Sequence, residues 1–96
     1  MNFEWDDDKV TSNLVKHGVR FDYVLYVFGD PNRLERYQRR GGEDHWQVIG
    51  QIENVVYVVI THERQTIDGE DVTSIISARK ETSHERQCYH KNRSQF

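Results

Sequence analysis

Three places in this sequence bring together the side-chain types that phosphate chemistry needs: Lys16-His17, His62 with Arg64, and Arg79-Lys80. RNA is cleaved without a metal when a base assists its 2′-hydroxyl in attacking the neighbouring phosphate. Cations stabilise the charge on the phosphoryl oxygens, and an acid protonates the leaving oxygen. Lysine, arginine and histidine can fill all three roles. Each residue also has a plainer reading. His17 shares a stripe with Val10 and Leu14 and can be a packed histidine, Lys16 can simply neutralise a helix C-terminus, and the two arginines can be surface bases. Only their joint placement speaks for chemistry.

Other chemistries lack their residues. There is no Gly-x-x-x-x-Gly-Lys loop, no Gly-x-Gly-x-x-Gly, no His-Glu-x-x-His, and only one cysteine, Cys88, so no cofactor, cysteine-based metal site or disulfide is expected. The five histidines do not cluster in sequence, which argues against a metal enzyme, and Cys88 reads as a small core hydrophobe. The net charge of −3 speaks against indiscriminate nucleic-acid adhesion, although residues 79–93 hold five bases and two acids. A chain of 96 residues holds one core and one domain, 1–96. With no basic-then-apolar leader and no apolar run near 20 residues, the expected location is the cytoplasm.

The elements that must carry these residues are legible in outline. Phe3-Glu4-Trp5 suits a short strand, and Asp6-Asp7-Asp8 caps a helix over about 7–17, ended by Gly18. Residues 21–31 predict a second helix, with Asp22 as cap, Phe21 against Tyr26 as staple, and Gly29 and Pro31 as the stop, although Tyr-Val-Leu-Tyr-Val-Phe also has β character. Leu34–Tyr37, His45–Ile52, Val55–Arg64 and Asp71–Arg79 read as strands, the third evenly apolar and so central. Hairpins at Glu53-Asn54 and Asp68-Gly69 join the last three. Thr82-Ser83-His84-Glu85 is a capping box that opens a last helix over 83–91. This order predicts an α+β domain with an antiparallel sheet, two N-terminal helices and one C-terminal helix.

A two-residue turn at Asp68-Gly69 fixes a register in which Arg64 faces Thr73 and Val58 faces Arg79. Both arginines then share one face of the sheet, six residues apart along the ladder. That is about 20 Å, too far for one phosphate. Either a longer loop or a bulge shortens the distance, or the two contact successive phosphates of a bound strand, and the sequence does not choose between them.

The chain resembles the BrnT toxins of type II toxin–antitoxin modules. The likeness runs almost end to end, through Phe3-Glu4-Trp5-Asp6, Asn13-Leu14-x-Lys16-His17-Gly18-Val19-x-Phe21, Val27-Phe28-Gly29-Asp30-Pro31, Gly42-Glu43-x-x-Trp46-x-x-Ile49-Gly50, Glu63-Arg64 and Ile75-Ile76-Ser77-Ala78-Arg79-Lys80. The resemblance implies a RelE-like fold, metal-independent endoribonuclease activity that arrests growth, and a BrnA antitoxin that binds the toxin in a hetero-oligomer and alone contacts DNA. It also implies catalytic roles for Lys16, His17, Arg64 and Arg79: the arginines clamp phosphate, and Lys16 or His17 moves protons or binds the RNA backbone. Tyr89 is then placed to stack a base or donate a proton, with Lys80, His62 and His45 as further RNA contacts. Family members often carry Glu-Arg-Trp where this chain has Asp44-His45-Trp46, and an arginine where it has Ser74. Those departures leave a site relying on His45 and His62, or a weakened one. In the latter case the chain serves as a module that docks a partner through its sheet edge and helices.

Overall fold

The computed structural model describes residues 2–53 and 56–91, Val56 by its backbone alone. Asn54 and Val55 of the expected turn, and Arg93 of the cationic tail, lie outside the described residues. Strand β1 (Asn2–Glu4) leads into helix α1 (Asp7–His17), the short α2 (Phe21–Val24) and a 3-10 turn over Leu25–Gly29; β2 (Leu34–Arg40), β3 (Glu43–Ile52), β4 (Val56–Ile67), β5 (Glu70–Lys80) and α3 (Ser83–His90) follow. The sheet order is β1-β5-β4-β3-β2, with β4 in the centre.

Strands β2 to β5 form an antiparallel meander, but β1 runs parallel to β5, Asn2 against Val72 through Glu4 against Ser74. The sheet is therefore mixed. The expectation of an antiparallel sheet omitted the edge: β1 reaches β5 only after α1, α2 and three strands intervene, and a three-residue strand carries no orientation in its own sequence.

Local signals explain most boundaries. The Asp6 carboxylate accepts from the Asp8 amide, and Gly18 at φ +67° ends α1 with its N–H on the Leu14 carbonyl, a left-handed cap that suits glycine. Asp68 and Gly69, both at positive φ, make the tight turn between β4 and β5. Both halves of the capping box at Thr82 and Glu85 are formed. The segment after α2 tightens to a 3-10 turn instead of continuing as α-helix. Tyr26 is exposed and does not staple Phe21, whose partner is Trp5, edge-on at 6.5 Å.

Alternation along the strands gives the sheet two apolar faces. Phe21, Val24, Val27, Val48, Ile52, Val58, Ile60, Ile75 and Ala78 form one core under the N-terminal helices. Leu34, Ile49 and Val59 form a second core with Cys88 and Tyr89 of α3. Gly50 lets the first close: a Cβ there would lie 2.8 Å from Val27 Cγ1.

The buried residue of α1 is Asn13, not the expected Val10, Leu14 and His17 stripe, of which only Val10 packs on the core. β1 pairs only with residues 72–74 of β5, so the later half of β5 needs another neighbour. Asn13 supplies it, giving and accepting one hydrogen bond each with the Ala78 backbone at 2.8 and 3.0 Å. One side-chain amide thus substitutes for a strand residue.

Candidate functional site

Strand alternation places Tyr37 of β2, Trp46 of β3 and His62 and Arg64 of β4 on the face of the sheet that carries the N-terminal helices. Trp46 pairs with Tyr37 in one ladder and with His62 in the next. Their rings follow, Tyr37 edge-on to Trp46 at 5.5 Å and Trp46 stacked on His62 at 6.3 Å and 18°. The Arg64 guanidinium lies over the Trp46 ring, 4.7 Å from its centroid, a cation–π contact. Arg64 Nη2 also stands 3.8 Å from the Glu35 carboxylate.

This stack borders a cavity of about 570 Å³ lined by Phe28, Arg33, Glu35, His62, Arg64 and Thr73, among others. His62 is 2% exposed, and its ring nitrogens find no hydrogen-bond partner of good geometry, with only a weak contact to the Glu63 backbone. Burial, helped by the charge of Arg64, pushes its pKa down to about 4, so the ring is neutral at pH 7. Arg33 donates to the Asp30 carbonyl through Nη1, while its Nε is shut from solvent without an acceptor. Buried polar groups are normally satisfied; here unmet groups of two residues line one cavity. A cation, a carboxylate, a neutral imidazole and an aromatic platform together can bind a phosphate and stack a base.

Lys16, His17 and Lys80 gather at the other end of the same face. A groove of about 470 Å³ is lined by His17, Gly18, Arg20, Tyr23, Val58 and Lys80, and a smaller one beside it by Lys9, Asn13, Lys16, His17 and Ser77. Lys80 pairs with Val58 in the ladder, six residues from Arg64, or about 20 Å along β4.

Arg79 does not join Arg64. The expected pairing of Arg64 with Thr73 is present, but Val58 meets Lys80 and Val59 meets Arg79. Ladder partners pass from Thr61–Ser77 to His62–Ile75, leaving Ile76 as an extra residue. That bulge flips every later side chain of β5 and turns Arg79 to the α3 face. There it donates twice to the Glu85 carboxylate, at 2.8 Å each. The Glu85 carboxyl stays ionised below its ordinary range, because hydrogen bonds from Arg79 and the Thr82 amide outweigh the opposing effect of burial.

Tyr89 is also on that face. It is buried against Tyr57 and donates to Asp30 Oδ2 at 2.6 Å; burial and this bond hold its pKa well above the usual phenol range. His45 faces the same way, with Nε2 3.4 Å from Glu43 and 3.3 Å from Glu63. The structure thus divides the sequence-predicted set among three places: His62 with Arg64, Lys16 and His17 with Lys80, and Arg79, Tyr89 and His45 on the opposite face. Glu35, Arg33 and Trp46 were missed as site residues. The signal for Glu35 and Trp46 lay in the ladder, which sets both on the face of Arg64.

The model of the family described as the ribonuclease toxin BrnT of type II toxin–antitoxin systems matches residues 5–85. The chain belongs to the BrnT family of ribonuclease toxins. A BrnT toxin of this kind has RNA as its substrate and an antitoxin as its partner. Its structure is similar to the crystal structure of the Brucella abortus ribonuclease toxin BrnT, with a TM-score of 0.59 at 19% identity over 86% of this chain and 99% of that one. The α+β fold is thus shared. No curated protein matches the chain, and none of the helices among the described residues is long and apolar enough to cross a membrane.

Proposed function

We propose that this BrnT chain is a metal-independent endoribonuclease whose cleavage centre is the Arg64–Glu35 cavity. The observation that carries the reading is the set of unmet polar groups there, His62 Nδ1 and Nε2 and Arg33 Nε, beside a guanidinium stacked on indole. A base of the transcript enters the cavity beside Phe28 and His62, and the scissile phosphate sits against Arg64 and Arg33. Glu35 takes the 2′-hydroxyl proton as the 2′-oxygen bonds to phosphorus. The P–O5′ bond then breaks, and the 5′-oxygen takes a proton from water at the open mouth. The arginines offset the charge on the phosphoryl oxygens. His62, neutral and without a well-formed hydrogen bond, accepts from or donates to the base. Lys16, His17 and Lys80 hold a more distant part of the RNA backbone.

A BrnA-like antitoxin binds this protein as a hetero-oligomer, and both act in the cytoplasm, on a RelE-like scaffold. The test is cleavage of a purified transcript in excess chelator. Arg64→Ala and Glu35→Gln each slow cleavage by about a hundredfold or more while thermal unfolding is little changed. If both variants cut RNA at the parental rate, the centre is elsewhere.

A further inference from the structure

We propose that Glu43, His45 and Glu63 form a site for one divalent transition ion of the zinc class, where the start of β3 meets the later part of β4. Glu43 and His45 are two residues apart on β3 and share a face. Trp46 pairs with His62, so the next rung sets His45 against Glu63. Their ligand atoms lie within 4.8 Å of one another, His45 Nε2 being 3.4 Å from Glu43 and 3.3 Å from Glu63.

The two distances from His45 Nε2 fit a metal better than an ion pair. A charge-assisted N–H···O bond closes to about 2.7–2.9 Å, and one N–H cannot serve two carboxylates well. Four ligands arranged tetrahedrally at about 2.0–2.1 Å from an ion stand about 3.3–3.4 Å apart. His45 Nε2 is shut from solvent and makes no hydrogen bond. Among the described residues no lysine or arginine pairs with Glu43 or Glu63; Asp44 is taken by Tyr37 and Arg39. Two carboxylates supply the charge that balances a dication, and an imidazole binds a metal through an unprotonated ring nitrogen.

A separate observation comes from the neighbouring strand. Gln38 stands opposite His45 in the β2–β3 ladder, and its Oε1 is likewise buried with no donor. A water completing the coordination shell supplies the donor that Gln38 lacks. A cleft of about 300 Å³ lined by Glu43, Asp44, Glu63 and Arg64 gives the ion a path from solvent. An imidazole with two carboxylates favours zinc, cobalt or nickel over magnesium. The bound ion pins β3 to β4 and cancels two negative charges beside Arg64.

The full chain, stripped with chelator, is titrated with Co²⁺ and followed by visible absorption. One ion binds per chain with the bands of a four-coordinate N/O site, Zn²⁺ displaces it, and the melting temperature rises. His45→Arg keeps the fold by placing a guanidinium between the two glutamates, and Glu63→Gln is nearly isosteric. Each weakens binding by about a hundredfold or more, and Cys88→Ser leaves it unchanged. The proposal is overturned if Co²⁺ fails to saturate at millimolar concentration, or if His45→Arg binds as the parent does. It is overturned equally if a thiolate band disappears in Cys88→Ser, which assigns the ion to the His84–Cys88 pair 3.6 Å apart.

Discussion

Asn13 and Ala78 lie 65 residues apart, yet one side-chain amide satisfies both the N–H and the carbonyl of the other's backbone. Asn13 is 4% exposed and also donates to the Val19 carbonyl at 3.0 Å, so it ties α1, the loop after it and β5 together. Asn13→Ala strands a buried donor and acceptor and should cost about 2–4 kcal/mol. Urea unfolding measures this; a loss below about 1 kcal/mol would mean that water replaces the amide.

The Arg79–Glu85 pair should show the behaviour of a structural bridge. Glu85 is 5% exposed, so Arg79→Ala leaves a nearly buried carboxylate without its cation, at roughly 3 kcal/mol. The double variant Arg79→Met, Glu85→Gln should recover most of that stability, because the neutral amide leaves no unpaired charge and still accepts from the Thr82 N–H. Arg64→Ala, by contrast, removes a half-exposed group and should cost under about 1 kcal/mol. Melting curves of the three variants decide the matter, and equal losses for Arg64→Ala and Arg79→Ala would contradict the division between site and scaffold.

The contrast between these arginines marks what the sequence could disclose. Asp68-Gly69 set the register correctly as far as Arg64 and Thr73, because turn chemistry is local. The extra residue at Ile76 is not: Ile75-Ile76-Ser77 is good β sequence with no glycine or other mark, and the bulge is settled by which side chains the two cores can accept. α1 was legible from Asp6 and Gly18, and α3 from its capping box. Asn13 carried no sign of burial, because its partner, an unpaired stretch of β5, exists only once the sheet is assembled. Glu35 was invisible for the same reason, since its place beside Arg64 depends on β2 lying next to β3 and not on any spacing within its own segment.

Acid should weaken the fold before most carboxylates protonate. The folded pKa of His62, about 4, lies below its ordinary 6.5, so folding favours the neutral ring. That contribution is complete above pH 6.5 and is lost progressively as pH falls from 6.5 towards 4, reaching roughly 3 kcal/mol. Asp30 and Glu85 are both depressed and add their losses at lower pH. Unfolding free energies measured between pH 7 and 5, above the range in which Asp30 and Glu85 contribute, should fall with the parent and stay nearly flat with His62→Phe. An equal slope for the two proteins would remove the imidazole as the cause.

The separation between Arg64 and Lys80 sets an expectation for RNA length and salt. With both ends of β4 in use, a transcript long enough to cover about 20 Å should bind more tightly than a dinucleotide, which reaches one end only. Releasing counterions from single-stranded RNA contributes a salt slope of about −0.7 per neutralised phosphate. Lys16→Ala with Lys80→Ala should therefore lower the slope for the long transcript by about 1.4 and leave dinucleotide affinity unchanged. Filter binding across a salt series gives both quantities. If the slope is unaltered, the cationic grooves at His17 and Lys80 face something other than RNA, and the arginine end alone holds the substrate.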